Sequence, residues 1–195
     1  MTAAPAVPLV LASSSPRRRD LLARLGVVPD RIASPDIDER PHPRELPRAY
    51  ALRLAEEKAR AVTRAPDEAV IAGDTTIAVG RRILPPATDE AVQRDLLKLL
   101  SGRRHHALSA VCVIAPDGRV RTRLSDTIVA FRPLTDTDID AYLACGEGLG
   151  KAGGYAIQGR AEAWVRFLAG SHSGVIGLPL FETRALLAAA GVALG

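Results

Sequence analysis

The sequence predicts an α/β protein, on three observations. A short apolar run at 9–12 (LVLA) is followed at once by a helix signal. A second run at 69–73 (AVIAG) follows a long amphipathic helix and stops at an aspartate. Two more runs, 107–115 and 119–131, flank the turn Pro116-Asp117-Gly118 and read as a strand and its return. Apolar runs of strand length interleaved with helical periodicity define the class.

The run at 9–12 suits a buried strand, and Ser13-Ser14-Ser15 breaks it. Ser15 is a good N-cap and Pro16 fits the first helical position. Leu21, Leu22 and Leu25 share a face, and Gly26 ends the helix. Arg17-Arg18-Arg19 in the first turn oppose the helix dipole, at about 0.3–1 kcal/mol each. Free backbone N–H groups, hydroxyls and guanidinium forks at one point make sense around an anion, most commonly phosphate. The competing reading is a capped surface helix with solvated arginines.

A short strand at 31–34 leads into the loop 35–41, where Asp36, Asp38 and Glu39 repel unless solvated or neutralised by a divalent cation. The spacing then predicts a helix over 46–64, with Ala51, Leu54, Ala55, Ala59 and Val62 on one face and Lys58 beside it. Asp74 at the exit of the 69–73 strand stands where open α/β sheets place their chemistry, local turn hydrogen bonds being the alternative. Residues 80–82 read as a turn and 85–86 as the start of a loop. A helix over 88–100 has Thr88 as N-cap and Val92, Leu96, Leu97 and Leu100 as core. His105 and His106 lead into the next strand. Side by side in a strand they would face opposite sides, a poor metal pair.

Thr135 caps a helix over 136–144. The glycine-rich stretch 146–154 fails as a Walker A loop: Cys145 falls on its first glycine and Ala152 on its Ser/Thr. A mobile loop carrying Lys151 remains. A strand-like piece at 155–159, a strand at 164–168, a loop at 170–177 and a helix from Pro179 to about residue 190 complete the chain.

A chain of 195 residues fits one domain, or one domain with two lobes, and 47% hydrophobic content suffices for its core. No segment approaches the about 18 apolar residues of a membrane span. The opening MTAAPAVPLVLA lacks the charged start of a secretion leader. Cys112 and Cys145 have no metal or redox spacing, which points to ordinary buried thiols in a reducing, cytoplasmic setting. A net charge of +4 suits phosphorylated small molecules. Basic residues are dispersed and aromatics are only 4%, which argues against a nucleic-acid partner. Lysine is rare beside arginine, so Lys58 and Lys151 stand out as compact cations.

Several ordered motifs resemble the Maf family of nucleoside triphosphate pyrophosphatases. LASSSPRRRDLL at 11–22 is similar to that family's opening LASxSPRR, AEEKARAV at 55–62 to its EKA segment, and GDT at 73–75 to its GADT block. LSGRRH at 100–105, KAGGYAIQG at 151–159 and GLPL at 177–180 also match. The resemblance implies a mixed central sheet with flanking helices and two lobes around a cleft, the Maf/ITPase-like arrangement, over 1–195. It implies hydrolysis of dTTP, UTP or a modified nucleotide to the monophosphate and pyrophosphate, assisted by Mg²⁺ or Mn²⁺. By match, Asp74 is the catalytic acid/base, and Arg17, Thr75 and Gln158 carry the pyrimidine preference. Ser13, Arg18, Glu39, Lys58 and Lys151 line the cleft, with Glu39 and Asp74 as metal contacts. The substrate is the partner this implies, and a homodimer is allowed.

Two segments depart from the family pattern. Leu84-Pro85-Pro86-Ala87 lacks the loop lysine of that family, leaving Arg81, Arg82 or another lysine to face the phosphates. Ser171-His172-Ser173-Gly174 stands where the family more often has an aromatic and an asparagine. Two other functions compete: a nucleotide- or nucleic-acid-binding regulator of division without turnover, and a protein-interaction module with an arginine-rich surface.

Overall fold

In the computed structural model, which describes residues 7–195, seven strands form one mixed sheet. The expectation that the chain does not open on a leader rests partly on 1–6, outside the described residues. Strands β1 (Leu9–Leu11), β2 (Arg31–Ile32) and β3 (Ala69–Val79) are parallel, with β1 between the other two. Strands β4 (Arg82–Leu84), β5 (Arg104–Ile114), β6 (Val120–Phe131) and β7 (Val165–Ala169) extend the sheet antiparallel, β4 pairing only with β3. The helices are α1 (Pro16–Ala23), α2 (Pro47–Arg60), α3 (Glu90–Leu100), α4 (Asp136–Cys145), α5 (His172–Ile176) and α6 (Leu180–Ala189).

Two apolar cores form because strand side chains alternate between faces. Leu9, Leu11, Ile71, Val111 and Val113 face one core, shared with leucines of α1, α3 and α6. Val10, Ala12, Val70, Ala72, Ala110 and Cys112 face the other, closed by Ala51, Ala55 and Ala59 of α2. Alanine against alanine lets α2 lie close on the sheet, so its last turn brings Lys58 to the middle of β3.

Several elements differ from expectation, each for a local reason. Strand β3 does not stop at residue 73 but carries Asp74 in mid-strand, because β5 pairs with it from Val70 to Ala78. Parallel β1 leaves after Leu11, so Asp74 still emerges at an opening of the sheet. Helix α2 ends at Arg60 rather than residue 64. The Arg64 guanidinium then donates to the carbonyls of Glu68 and Pro116. The turn after β3 is only Gly80-Arg81, with Gly80 at φ 58°, and Arg82 already pairs with Val79. Asp89, not Thr88, caps α3 by accepting from the Val92 N–H. Strand β5 begins at Arg104, taking both histidines into the ladder on opposite faces; His105 is buried and His106 pairs with Asp126. Residues 155–159 form no strand: 155–156 are irregular and 157–159 a turn. The Ala156 N–H bonds the Tyr142 hydroxyl, so it has no place in a ladder. The segment 170–177 contains α5, capped by Ser171. No helix among the described residues is long and apolar enough to cross a membrane.

Candidate active site

The start of α1 faces the end of α5. Ser15 occupies the cap position of α1, but its hydroxyl caps nothing, contrary to expectation. Ser13 accepts instead, from the Ser15 N–H at 3.2 Å and from Arg18 Nη1 at 3.0 Å. Arg18 Nε donates to the Gly177 carbonyl at 2.9 Å, and Arg17 Nε reaches the Ile176 carbonyl at 3.4 Å. The last carbonyls of a helix lack intrahelical donors, so the guanidinium groups satisfy them and tie α5 to α1. This offsets part of the cost of cations at a helix start. Burial still pulls Arg18 below its ordinary pKa; the Asp74 charge opposes that shift and the neighbouring Arg17 adds to it. Both arginines keep N–H groups on a surface of excess positive charge.

Across this opening, Lys58 Nζ stands 2.9 Å from Asp74 Oδ1 and 2.9 Å from Glu39 Oε2. Lys58 and Asp74 are buried, whereas the Glu39 side chain is 55% exposed, so Glu39 forms the solvent-facing arm of the pair. The other Asp74 oxygen, Oδ2, accepts from Thr76 Oγ1 at 2.9 Å. The acidic loop divides its charges. Asp38 is neutralised by Arg40, which holds its carboxyl at about 2, while Glu39 turns to Lys58. Helix α2 fastens the loop: Tyr50 Oη donates to the Glu39 carbonyl at 2.7 Å, and Arg53 donates to the Arg40 carbonyl and grips Glu45.

The glycine-rich loop is stapled rather than loose. Gly150 N–H donates to the Ala87 carbonyl, Ala87 N–H to Lys151, and Gly153 N–H to Pro85. Pro86 and Ala152 form a bridge. These bonds set Lys151 beside Pro86 on the wall of a hollow of about 170 Å³ that also holds Arg17, Arg18, Asp74, Thr75 and Gln158. Burial, then Arg17, lowers the Lys151 pKa. A second hollow of about 340 Å³ shares Arg17 and Arg18 and adds Ser13, Glu39 and Lys58. All nine residues singled out in the sequence therefore line two adjoining hollows. Lys151 lines the first of them together with Pro86, and Arg81 and Arg82 line neither.

Sequence reasoning missed several neighbours. Thr76 lies two residues from Asp74 on the same strand face, a relation readable once 74 is placed in mid-strand. Ser109 lies opposite Thr75 in the β3–β5 register, hydroxyl to hydroxyl at 3.1 Å, and only the register reveals it. Tyr155 walls the first hollow, and His105 Nε2 lies 2.8 Å from its buried hydroxyl.

Among the described residues no three His, Cys, Asp or Glu side chains gather as a metal cage. Asp74 and Glu39, sharing one cation, are the acidic pair of the site. Such an arrangement can hold a polyanion against the arginines, with a carboxylate ready to orient water.

The Maf-like protein family matches residues 8–190. A dTTP/UTP pyrophosphatase of Sphingopyxis alaskensis is 67% identical over 96% of this chain and 98% of its own length. One from Novosphingobium aromaticivorans is 60% identical over 94% of this chain and 92% of its own. Among solved structures, the Staphylococcus aureus Ham1 protein aligns with a TM-score of 0.44 at 18% identity, over 64% of this chain and 71% of that one.

Proposed function

We propose that this chain, which belongs to the Maf-like protein family, hydrolyses dTTP or UTP to the monophosphate and pyrophosphate. The observation that carries this reading is Asp74, held by Lys58 and Thr76, facing the arginine-rich start of α1 across shared hollows. The names of the relatives supply the substrate class. A close base analogue with the same pyrimidine edge is a substrate of the same kind.

In this reading Arg17, Arg18 and Ser13 hold the triphosphate, with Lys58 and Lys151 as further positive charge. Lys151, beside Pro86, takes the role of the absent loop lysine. Asp74 orients a water for attack on the α-phosphorus and takes its proton. The bond from the α-phosphorus to the bridging oxygen breaks, and pyrophosphate leaves. Such substitution depends mainly on positioning and charge neutralisation. Thr75 and Gln158 face the nucleoside from the same hollow, and an amide presents both donor and acceptor to a pyrimidine edge.

The donor set fits a divalent cation. Mg²⁺ typically takes one or two carboxylates together with substrate phosphates, and Glu39 and Asp74 would hold Mg²⁺ or Mn²⁺ in that way. Bound there, the ion would neutralise phosphate charge and make water a better nucleophile. We read the chain as one domain with two lobes about the hollows, working in the cytoplasm. Cys112 is buried as expected and Cys145 only half-buried, and as free thiols both suit a reducing compartment. A homodimer is compatible with this reading.

The test is Asp74→Asn with UTP and Mg²⁺, measuring pyrophosphate. Loss of at least about 100-fold in kcat is expected for removal of a general base. Near-normal release removes Asp74 from the chemistry. Nucleotide binding by the unaltered chain with no monophosphate formed would favour a regulator instead.

A further inference from the structure

Asp74 and Thr76 lie two residues apart on β3, so their side chains share the face turned toward α2. Thr76 is 2% exposed, and its Oγ1 donates to Asp74 Oδ2 at 2.9 Å. We propose that Thr76 is a positioning residue for the reaction: with Lys58 on Oδ1, it fixes the plane of the Asp74 carboxylate toward the bound triphosphate. This inference rests on Asp74 as the acid/base.

The geometry argues for the role in three steps. A carboxylate turns in a broad, two-fold torsional well, so one donor leaves its plane free to swing. Two donors on different oxygens remove that freedom. Lys58 alone is an adaptable partner, a flexible stem shared with the exposed Glu39. Thr76 is the rigid one, because a β-branched side chain on a paired strand is stiff at χ1.

Within the sheet, the neighbours of Thr76 do not otherwise call for a hydroxyl. Its face of β3 also carries Ala72 and Ala78, and its partner across the ladder is Leu108. Beyond it lies a hollow of about 370 Å³, apolar on the side of Ile83, Leu84, Pro85 and Pro86 and polar where Asp74 and Glu39 line it. Valine has the same shape and suits a buried strand as well. A hydroxyl is costly there unless it is bonded, and its single hydrogen goes to Asp74. Each Asp74 oxygen keeps acceptor capacity beyond its present partner, so the clamp leaves a place for water.

The test compares Thr76→Val, Thr76→Ser and Asp74→Asn with the unaltered enzyme. Turnover of UTP with Mg²⁺ gives kcat and KM, and calorimetry gives the Kd of a non-hydrolysable UTP analogue. Thr76→Val is expected to lower kcat by about 10–100-fold, the usual effect of removing a group that orients an active one. KM and the analogue Kd should stay within about twofold, since the clamp acts on the chemical step. Thr76→Ser, which keeps the donor but not the stiff branch, should fall between the two, recovering part of the kcat lost in Thr76→Val. Unaltered kcat in Thr76→Val overturns the proposal. So does a Thr76→Ser enzyme as slow as Thr76→Val, which would make the role one of shape. Loss of analogue binding together with turnover in Thr76→Val overturns it as well, as a sign of general disruption. If Asp74→Asn itself turns over normally, the reading of Asp74 fails first, an outcome distinct from a neutral Thr76.

Discussion

His105 should make the stability of this protein fall steeply in mild acid. Its ring is 1% exposed, edge-on to Phe131 and Tyr155, and Nε2 meets the Tyr155 hydroxyl at 2.8 Å. Nδ1 is buried without a partner among the described residues. Burial first, and the neighbouring His106 second, hold its pKa at about 4 against an ordinary 6.5. The unfolded chain takes up a proton as pH falls through 6.5, whereas the native ring stays neutral until about 4. Between those values the unfolded state binds more protons, so stability is full above 6.5 and drains away as pH falls toward 4. With these two pKa values, linkage gives a loss of about 2 kcal/mol at pH 5 and about 3 kcal/mol once the native ring is protonated. That is a large part of a typical 5–15 kcal/mol total. The consequence reaches the site, because Tyr155 walls the hollow that holds Lys151 and Gln158. The assay is urea unfolding at pH 7, 6 and 5 for the unaltered chain and His105→Gln, which can still bond Tyr155 and does not titrate. The variant should start less stable and lose about 2 kcal/mol less between pH 7 and 5. Equal losses in the two proteins would refute the assignment, since every other titrating group is common to both.

Two further outcomes are expected. Arg18→Lys keeps the charge, but a single nitrogen cannot span the Gly177 carbonyl, Ser13 and a phosphate as the separate guanidinium nitrogens do; kcat/KM for UTP should fall by about 10–100-fold, the worth of one charged hydrogen bond. Steady-state kinetics check this, and an unchanged kcat/KM would place the phosphates elsewhere. Gly148→Ala would drive a methyl into the Gly154 carbonyl and the Gln93 amide, backbone included. A melting curve should show about 1–3 kcal/mol of lost stability, and KM should rise as the staple that presents Lys151 shifts.

The parts of the site legible in the sequence are those whose meaning is local. Three serines and three arginines at one helix start suggest an anion site beside the reading of a capped surface helix, because dipole, free N–H groups and charge meet within a single turn. Lys58 could be singled out by its place beside the apolar face of α2, and the acidic loop by its crowded carboxylates. Lys151 stood out as a rare lysine in a glycine-rich loop, whereas Gln158 has no local signature and came from the resemblance alone.

What the sequence hid is set by pairing over distance. Asp74 looked like a strand end because its neighbours turn polar. It is mid-strand because β5, more than thirty residues later, continues the ladder past the point where β1 departs. The same register makes Ser109 the partner of Thr75, and the β3 continuation aligns Thr76 with Asp74. The partners of the arginines are farther still: the Ile176 and Gly177 carbonyls lie 159 residues along the chain. This resolves the oddity of the opening helix. Cations at a helix start are tolerated here because the carbonyl end of α5 is brought against them, so part of the compensating negative charge is built into the fold. Further negative charge comes from the carboxylates of Asp74 and, more weakly, Glu39 across the opening, whose fields oppose the effect of burial on Arg18. In the proposed reading, a polyphosphate entering between the arginines and Asp74 would be drawn by the first and repelled by the second. Lys58, already bonded to Asp74 and Glu39, would then be the residue that offsets that repulsion.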